Sequence, residues 1–300
     1  MLDHKQCEAF YAVAETGSFE LASKQLFITS SAVTLRIQAL EKALGQLLLI
    51  RGRPCILTKE GQEVLHFLQH TKLLENSLLQ SLGRKSSNRF FKISIAANAD
   101  SLATWLLPAL KEALSKEKIA LELKFDYQVQ TYDLLESGAV NASLSIESVS
   151  MKGCHAVYLG SMSYVLVATP SFKKKWFGQT IRRELLCNTP VIVFNDKDHM
   201  QSDMLLNLYG LPPNSYPTHF IPSSHDFVQA IELGIGYGYA PLLMVANQLE
   251  NGSLIELIPD TRKEVALFWH YWEKQSQPMQ QITEGILKHA RKYLSQINSH

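Results

Sequence analysis

Residues Gly17–Gly61 constrain this chain more than any other stretch. They write two short helices, a tight polar turn and a hairpin in fixed order. Ser18 is a good N-cap, its hydroxyl free to accept from the first unpaired backbone N–H groups. Phe19, Ala22 and Leu26 follow at helical spacing and face inward. The turn falls at Phe27 to Thr29, and Thr29 or Ser30 caps the next helix. Within it Val33, Ile37, Leu40 and Leu44 form a continuous buried stripe, and Gly45 ends it. Ser30, Ser31, Thr34, Leu35 and Gln38 are left outside. An ordinary surface helix carries Glu and Lys there. Short hydroxyls instead let the backbone approach a groove wall and bond to base edges or phosphates. Ile50-Arg51-Gly52-Arg53-Pro54 reads as the tip of a short hairpin, whose two arginines suit a phosphate backbone or a minor groove. Taken singly, the helices also read as a small hairpin packed on a larger body, and the arginines as a solvated pair.

Composition fits a DNA-binding protein without a polycationic tail. A chain of 300 residues suggests two or three domains, and 46% hydrophobic content can build their cores. Net charge is only +1, but it is uneven. Up to Phe90 there are eleven lysines and arginines against eight carboxylates; beyond it there are eighteen against twenty. The start, Met1 to Gln6, runs directly into a helix with no secretory pattern, and no stretch approaches the ~18 apolar residues of a membrane span. A cytoplasmic protein without membrane contact is expected. Cys7, Cys55, Cys154 and Cys187 are scattered, so neither a zinc site nor a disulfide framework is indicated. No metal and no cofactor is expected.

From Thr58 to about Gly83 the pattern predicts one long helix. Val64, Phe67, Thr71, Leu74, Leu78 and Leu82 form its stripe, widened by Leu65, Leu68, Leu73 and Leu79. That is more apolar surface than a lone exposed helix carries. It packs either on a twin helix or on its own domain. His66 and His70 lie four apart, but with no third ligand nearby they read as partly exposed histidines. Arg84 to Arg89 is a polar linker.

After Phe90 strands and helices alternate. Strands are expected at Phe91–Ala97, Leu121–Tyr127, Ala142–Ile146, Val157–Leu159, Tyr164–Thr169, Pro190–Phe194, His219–Ile221, Gly238–Pro241 and Ala266–Trp272. Alternation of this kind predicts two α/β lobes with mostly parallel sheets, whose ligands sit beyond strand ends against helix starts. Ser101 and Thr104 lie at such a start, with Asn98 and Asp100 beside them. An amino-acid ligand needs donors for its carboxylate and an acid for its ammonium groups. Asp100 and Glu147 could supply the acid, and Ser223, Ser224 and Asp226 could close the second lobe. Each of these residues also reads as a plain helix cap. Gly234-Ile-Gly236-Tyr-Gly238 follows a helix and precedes a strand, the wrong order for a dinucleotide loop, so it reads as a glycine-rich turn.

The order of features resembles the winged helix-turn-helix of LysR-type transcriptional regulators. The resemblance rests on Phe10 and Tyr11, Gly17-Ser18-Phe19, Ala22, Ser31-Ala32-Val33, Leu40-Glu41, Leu44-Gly45, Arg51 and Leu57-Thr58-x-x-Gly61. Ser30 stands where the family usually has Gln, Thr34 where it has Ser, Leu21 where it has Ala and Leu49 where it has Phe. Gln reaches a base edge with two bonds and Ser does not, so operator specificity is not carried over. The segment Ala97 to Leu110, Pro190 to Phe194, Ser223-Ser224 with Phe227-Val228-Gln229, and Trp269-His270 resemble the ArgP (IciA) branch, which senses lysine and arginine and drives basic amino-acid export.

What the resemblance implies is a winged helix-turn-helix over 1–58, a linker and dimerisation helix with hinge over 59–89, and an effector domain over 90–300. That domain has two lobes like periplasmic binding proteins, about 90–163 with 267–300, and about 164–266. Double-stranded DNA would be bound through Ser18, Thr29, Ser30, Ser31, Thr34, Arg36 and Gln38, with Arg51 and Arg53 on the backbone. Phe67, Leu74, Leu78 and Leu82 would join a homodimer or tetramer, and RNA polymerase would be a further partner. The effector expected is lysine or arginine. Two alternatives stand beside this regulator: a solute-binding or enzyme-like α/β protein, and a regulator that has lost operator recognition and works through protein partners. The first is weakened by the absence of a Gly-x-Ser-x-Gly, a His-Glu-x-x-His or a catalytic Cys/His pairing.

Overall fold

Asp3, Ser18 and Thr29 each stand in extended backbone, and each side chain accepts from the N–H three residues on: Gln6 at 3.0 Å, Leu21 at 3.4 Å and Ala32 at 3.2 Å. These caps start α1 (His4–Thr16), α2 (Phe19–Leu26) and α3 (Ser30–Leu44) in the computed structural model, which describes residues 2–81, 90–125, 130–136 and 139–295. Phe10, Val13, Ala22, Val33, Ile37, Leu40 and Leu48 pack into one core. The hairpin of β1 (Leu49–Ile50) and β2 (Ile56–Leu57) pairs Leu49 with Leu57 and Ile50 with Ile56. It is tied to α3 by Glu41, whose Oε1 accepts from Leu48 N–H at 2.9 Å and Leu49 N–H at 3.3 Å.

The long helix α4 (Lys59–Ser81) divides its apolar stripe. Val64, Leu65 and Leu68 pack on the core of α1–α3, which is the reading that kept them within their own domain. Phe67 points outward and is 55% exposed. The side chains of His66, His70, Leu74 and Leu78, and Leu82 altogether, lie outside the described residues.

The C-terminal part is built on a seven-stranded sheet of order β10-β6-β11-β5-β3-β4, with β9 pairing β6. These strands are β3 (Phe91–Ala97), β4 (Ile119–Phe125), β5 (Ala142–Ser145), β6 (Cys154–Ala168), β9 (Gly238–Pro241), β10 (Ile255–Glu256) and β11 (Lys263–Trp272). A small parallel pair, β7 (Val191–Val193) and β8 (Thr218–Phe220), lies in the second lobe. The expected mostly parallel sheets are corrected here. β3 pairs β4 and β5 in parallel, but β6 pairs β9, β10 and β11 antiparallel, and β5 pairs β11 antiparallel. The two strands expected within 157–169 are one continuous strand. Gly160 (φ 132) and a register shift between Leu267 and Phe268 mark a bulge in the β6–β11 ribbon.

Helices cover both faces. α5 (Ala99–Ser101) runs through a π-helical turn (Leu102–Leu106) into α6 (Leu107–Lys116). Pro108 has no N–H to give the Thr104 carbonyl, and the helix widens just before it. α6 packs beside α13 (Gln277–Tyr293), and α7 (Gln130–Glu136) lies on the opposite sheet face with β5. In the second lobe α8 (Pro170–Trp176), α9 (Arg183–Leu186), α10 (Met200–Tyr209), α11 (Ser224–Glu232) and α12 (Leu242–Glu250) surround β7 and β9. The glycine-rich turn is required by packing. A Cβ on Gly236 would sit 2.7 Å from the Ile192 side chain, and one on Gly238 2.8 Å from Phe227. Among the described residues no helix is long and apolar enough to cross a membrane.

Candidate DNA interface and effector site

The helix pair presents the surface its sequence implies. Along α3 the side chains of Ser30, Ser31, Leu35 and Gln38 are exposed, Thr34 and Arg36 are half-buried, and Val33, Ile37 and Leu40 are covered. Arg36 lies beside the buried stripe rather than on the outward face, because it follows Val33 by three residues and precedes Leu40 by four. Ser18 and Thr29 are engaged as caps. The tip of the hairpin exposes Arg51 and Arg53. The Arg51 guanidinium lies 5.9 Å from the centre of the Phe19 ring, so the first helix of the pair holds one wing cation in place.

Each phosphate contact adds about 0.9 to the dependence of log affinity on log salt. Replacing both Arg51 and Arg53 by Ala is expected to lower that slope by about 2 and to weaken all duplexes alike. Fluorescence anisotropy over a salt series checks this. An unchanged slope removes the arginines from the phosphates.

In the C-terminal part, Asp100 is the centre of a small polar cluster between the lobes. Its Oδ2 accepts from the Tyr164 hydroxyl on β6 at 2.7 Å, and its Oδ1 from the Ser224 hydroxyl at the start of α11 at 2.6 Å. One carboxylate that follows the end of β3 therefore links the crossing strand to the second lobe. Burial, and then the charge of Asp100, push the Tyr164 phenol well above its ordinary range, so it stays a donor. Asp198 faces the same region from the loop after β7. Its Oδ1 accepts from Met200 N–H at 3.0 Å and its Oδ2 from Phe194 N–H at 3.2 Å. Burial raises the Asp198 carboxyl above the usual aspartate value, the Met200 and Phe194 N–H groups draw it down, and Asp100 raises it further. Two half-buried acids thus stand on opposite lobes.

Beside them, Asn98 Oδ1 and Ser101 Oγ are buried with no hydrogen-bond partner among the described residues. On β5 and β11, Ser143 and His270 pair in register, and Ser143 Oγ and His270 Nδ1 are likewise buried without partners. Burial lowers the His270 pKa, and its Nε2 lies 2.7 Å from the Glu147 carbonyl oxygen. The neutral ring then donates from Nε2, leaving Nδ1 an acceptor. A carboxylate meeting the Ser101 hydroxyl and an ammonium meeting Asp100 are both chemically served by this set.

The structure sorts the expected effector residues. Asn98, Asp100, Ser101 and Ser224 are gathered around the cluster, and Ser223 is the N-cap of α11, accepting from Asp226 N–H at 3.4 Å. Thr104 and Asp226 do not join it. They line a separate groove of about 570 Å³ with His225, Gln229 and Tyr293. Asp226 is two residues, about 200° of helix rotation, from Ser224. The Thr104 hydroxyl donates back to the Asp100 carbonyl at 2.7 Å. Glu147 is exposed, and its backbone carbonyl rather than its carboxylate is engaged. Tyr164, Asp198 and Ser143 were not expected from the sequence.

Comparison with known proteins follows the same division of the chain. Residues 4–62 match the bacterial regulatory helix-turn-helix protein, lysR family, and residues 92–291 match the LysR substrate binding domain. The HTH-type transcriptional regulator ArgP of Vibrio parahaemolyticus serotype O3:K6 is 35% identical over 98% of this chain and 99% of its own. The crystal structure of ArgP from Mycobacterium tuberculosis superposes with a TM-score of 0.86 at 30% identity, covering 99% of this chain and 100% of that one. Full-length LysG from Corynebacterium glutamicum with bound effector Arg superposes with a TM-score of 0.79 at 29% identity, covering 98% and 99%. The head that reads DNA and the two lobes that hold an effector are therefore parts of one design, and the chain belongs to the LysR family of transcriptional regulators, not to a family of enzymes.

Proposed function

We propose that the effector of this DNA-binding regulator is a basic amino acid, arginine or lysine, held between the lobes. One observation carries the reading: the half-buried carboxylate of Asp100 joins the lobes by accepting from the Tyr164 and Ser224 hydroxyls, and a second half-buried acid, Asp198, stands on the other lobe. A guanidinium or ammonium group is the natural neutraliser of two such acids. The neighbouring Ser101 hydroxyl suits an amino-acid carboxylate. The LysG likeness with its bound arginine supports the same class. The protein acts in the cytoplasm as a homodimer or tetramer, with exposed Phe67 of α4 in the dimer contact, and it touches RNA polymerase at its promoters. Its target class is export of the amino acids it senses.

Calorimetric titration of the full chain tests the effector. Arginine or lysine is expected to bind at least about tenfold more tightly than citrulline, which keeps the shape and loses the charge. Equal binding of citrulline, or no binding of either cation, overturns the reading. The pH dependence has a definite sign. Asp198 titrates above its usual value of 3.8 in the folded protein, and a bound cation favours its ionised form. Affinity for arginine should therefore fall as pH drops toward the raised Asp198 pKa, and each binding event there should release protons. Titrations in buffers of different ionisation heat count those protons. Uptake instead of release would remove Asp198 from the cation's site.

A further inference from the structure

Three of the four hydroxyl donors at the reading helix are engaged within the protein. Ser30 Oγ donates to Ser23 Oγ at 3.1 Å, Thr34 Oγ1 donates to the Ser30 carbonyl at 2.9 Å, and Thr29 and Ser31 share a hydrogen bond of 2.9 Å. The outward line of α3 is then Ser31, Leu35, Gln38 and Lys42, all exposed and all at helical spacing. Leu35 is the large apolar side chain of that line and is 66% exposed. It stands clear of the Val33-Ile37-Leu40 stripe that holds the head together. A leucine there costs solubility and adds nothing to the core, so the surface it meets decides its use.

That surface is DNA. Arg51 and Arg53 stand exposed on the hairpin joined to α3 by Glu41, so phosphate contacts by the wing turn the outward line of α3 toward base edges. In the major groove only thymine carries an apolar group, its C5 methyl. We propose that Leu35 is a specificity-determining residue that reads a thymine by packing on this methyl. The proposal rests on α3 being the reading helix, and it assigns sequence discrimination to an apolar contact rather than to the serines.

The test separates that contact from DNA binding in general. Duplexes are selected from a random pool by the full-length protein, by Leu35→Ala and by Leu35→Gln. In the wild-type site, each thymine is then replaced by deoxyuridine, which removes only the methyl. One thymine per half-site is expected to lose about fourfold in wild-type affinity, the effect of one buried methyl-sized group. The same replacement should leave Leu35→Ala unaffected. Leu35→Gln should select adenine at that position, because Gln pairs bidentately with the adenine edge. An exposed side chain makes both variants fold normally, which unchanged melting confirms. The proposal is overturned if no thymine shows methyl dependence, if Leu35→Ala shows the same dependence, or if the substitutions change only the oligomeric state.

Discussion

Replacing Asp100 by Ala is expected to abolish the amino-acid response while leaving DNA binding in place. The change removes one of the two acids and the acceptor of two hydrogen bonds at once. Hydrogen bonds to a charged group contribute about 1.5–3 kcal/mol each. Tyr164 is buried, so its hydroxyl would be left without its partner, and Ser224 would lose its link to the first lobe. Arginine affinity should drop by on the order of 100-fold, since each 1.4 kcal/mol is tenfold. Asp100→Asn keeps an acceptor oxygen and loses the charge, so it should fall between wild type and Ala. Calorimetry with arginine and anisotropy with operator DNA give the two readouts. An Asp100→Ala protein that binds arginine within about threefold of wild type would sink the assignment, because a mere cap would give that result.

The second large effect belongs to the head. Gly61 begins the run of α4 against the hairpin, and a Cβ there would lie 2.0 Å from the Leu48 carbonyl oxygen. Both groups are backbone, so neither can swing aside. In Gly61→Ala the first turn of α4 must lift away. That strains the hydrogen bond from Gly61 N–H to Thr58 Oγ1, 2.9 Å, and the one from the Thr58 hydroxyl to the Leu47 carbonyl, 2.7 Å. Overpacking of this kind costs about 1–3 kcal/mol or more. In a head this small that lowers its melting by roughly 10 °C. DNA affinity should fall with it, while arginine binding by the separate lobes should not. Melting within a degree or two of wild type would show that the contact relaxes cheaply. The same geometry explains why Leu57-Thr58-x-x-Gly61 occurs as a unit: the Thr fastens the turn and the Gly lets it close.

Local features were the legible ones. Ser18 and Thr29 cap helices through an N–H three residues away, and Val33, Ile37 and Leu40 share a face by helical rotation alone. Distance in sequence hid the rest. Tyr164 reads as one more apolar strand residue, and its bond to Asp100 spans 64 positions. Asp198 sits in Asn195-Asp196-Lys197-Asp198-His199, which reads as a solvated loop. Only the meeting of two strand ends turns it toward Asp100. Val157–Leu159 and Tyr164–Thr169 read as two strands, whereas a bulge at Gly160 lets one strand continue. Ser101 and Thr104 read as one helix start, but Thr104 falls inside the π-turn Leu102–Leu106.

The ribbon of β6 and β11 also makes the two lobes one hydrogen-bonded body, because β6 begins in the first lobe and ends in the second. Beyond the bulge at Gly160 and Leu267/Phe268 the strand runs on to Ala168, where β10 is attached. Eight residues of strand at about 3.3 Å each give an arm of about 26 Å. The lobes are therefore joined through the sheet itself at β6, and Asp100, bonded to Tyr164 of that strand, sits at the join.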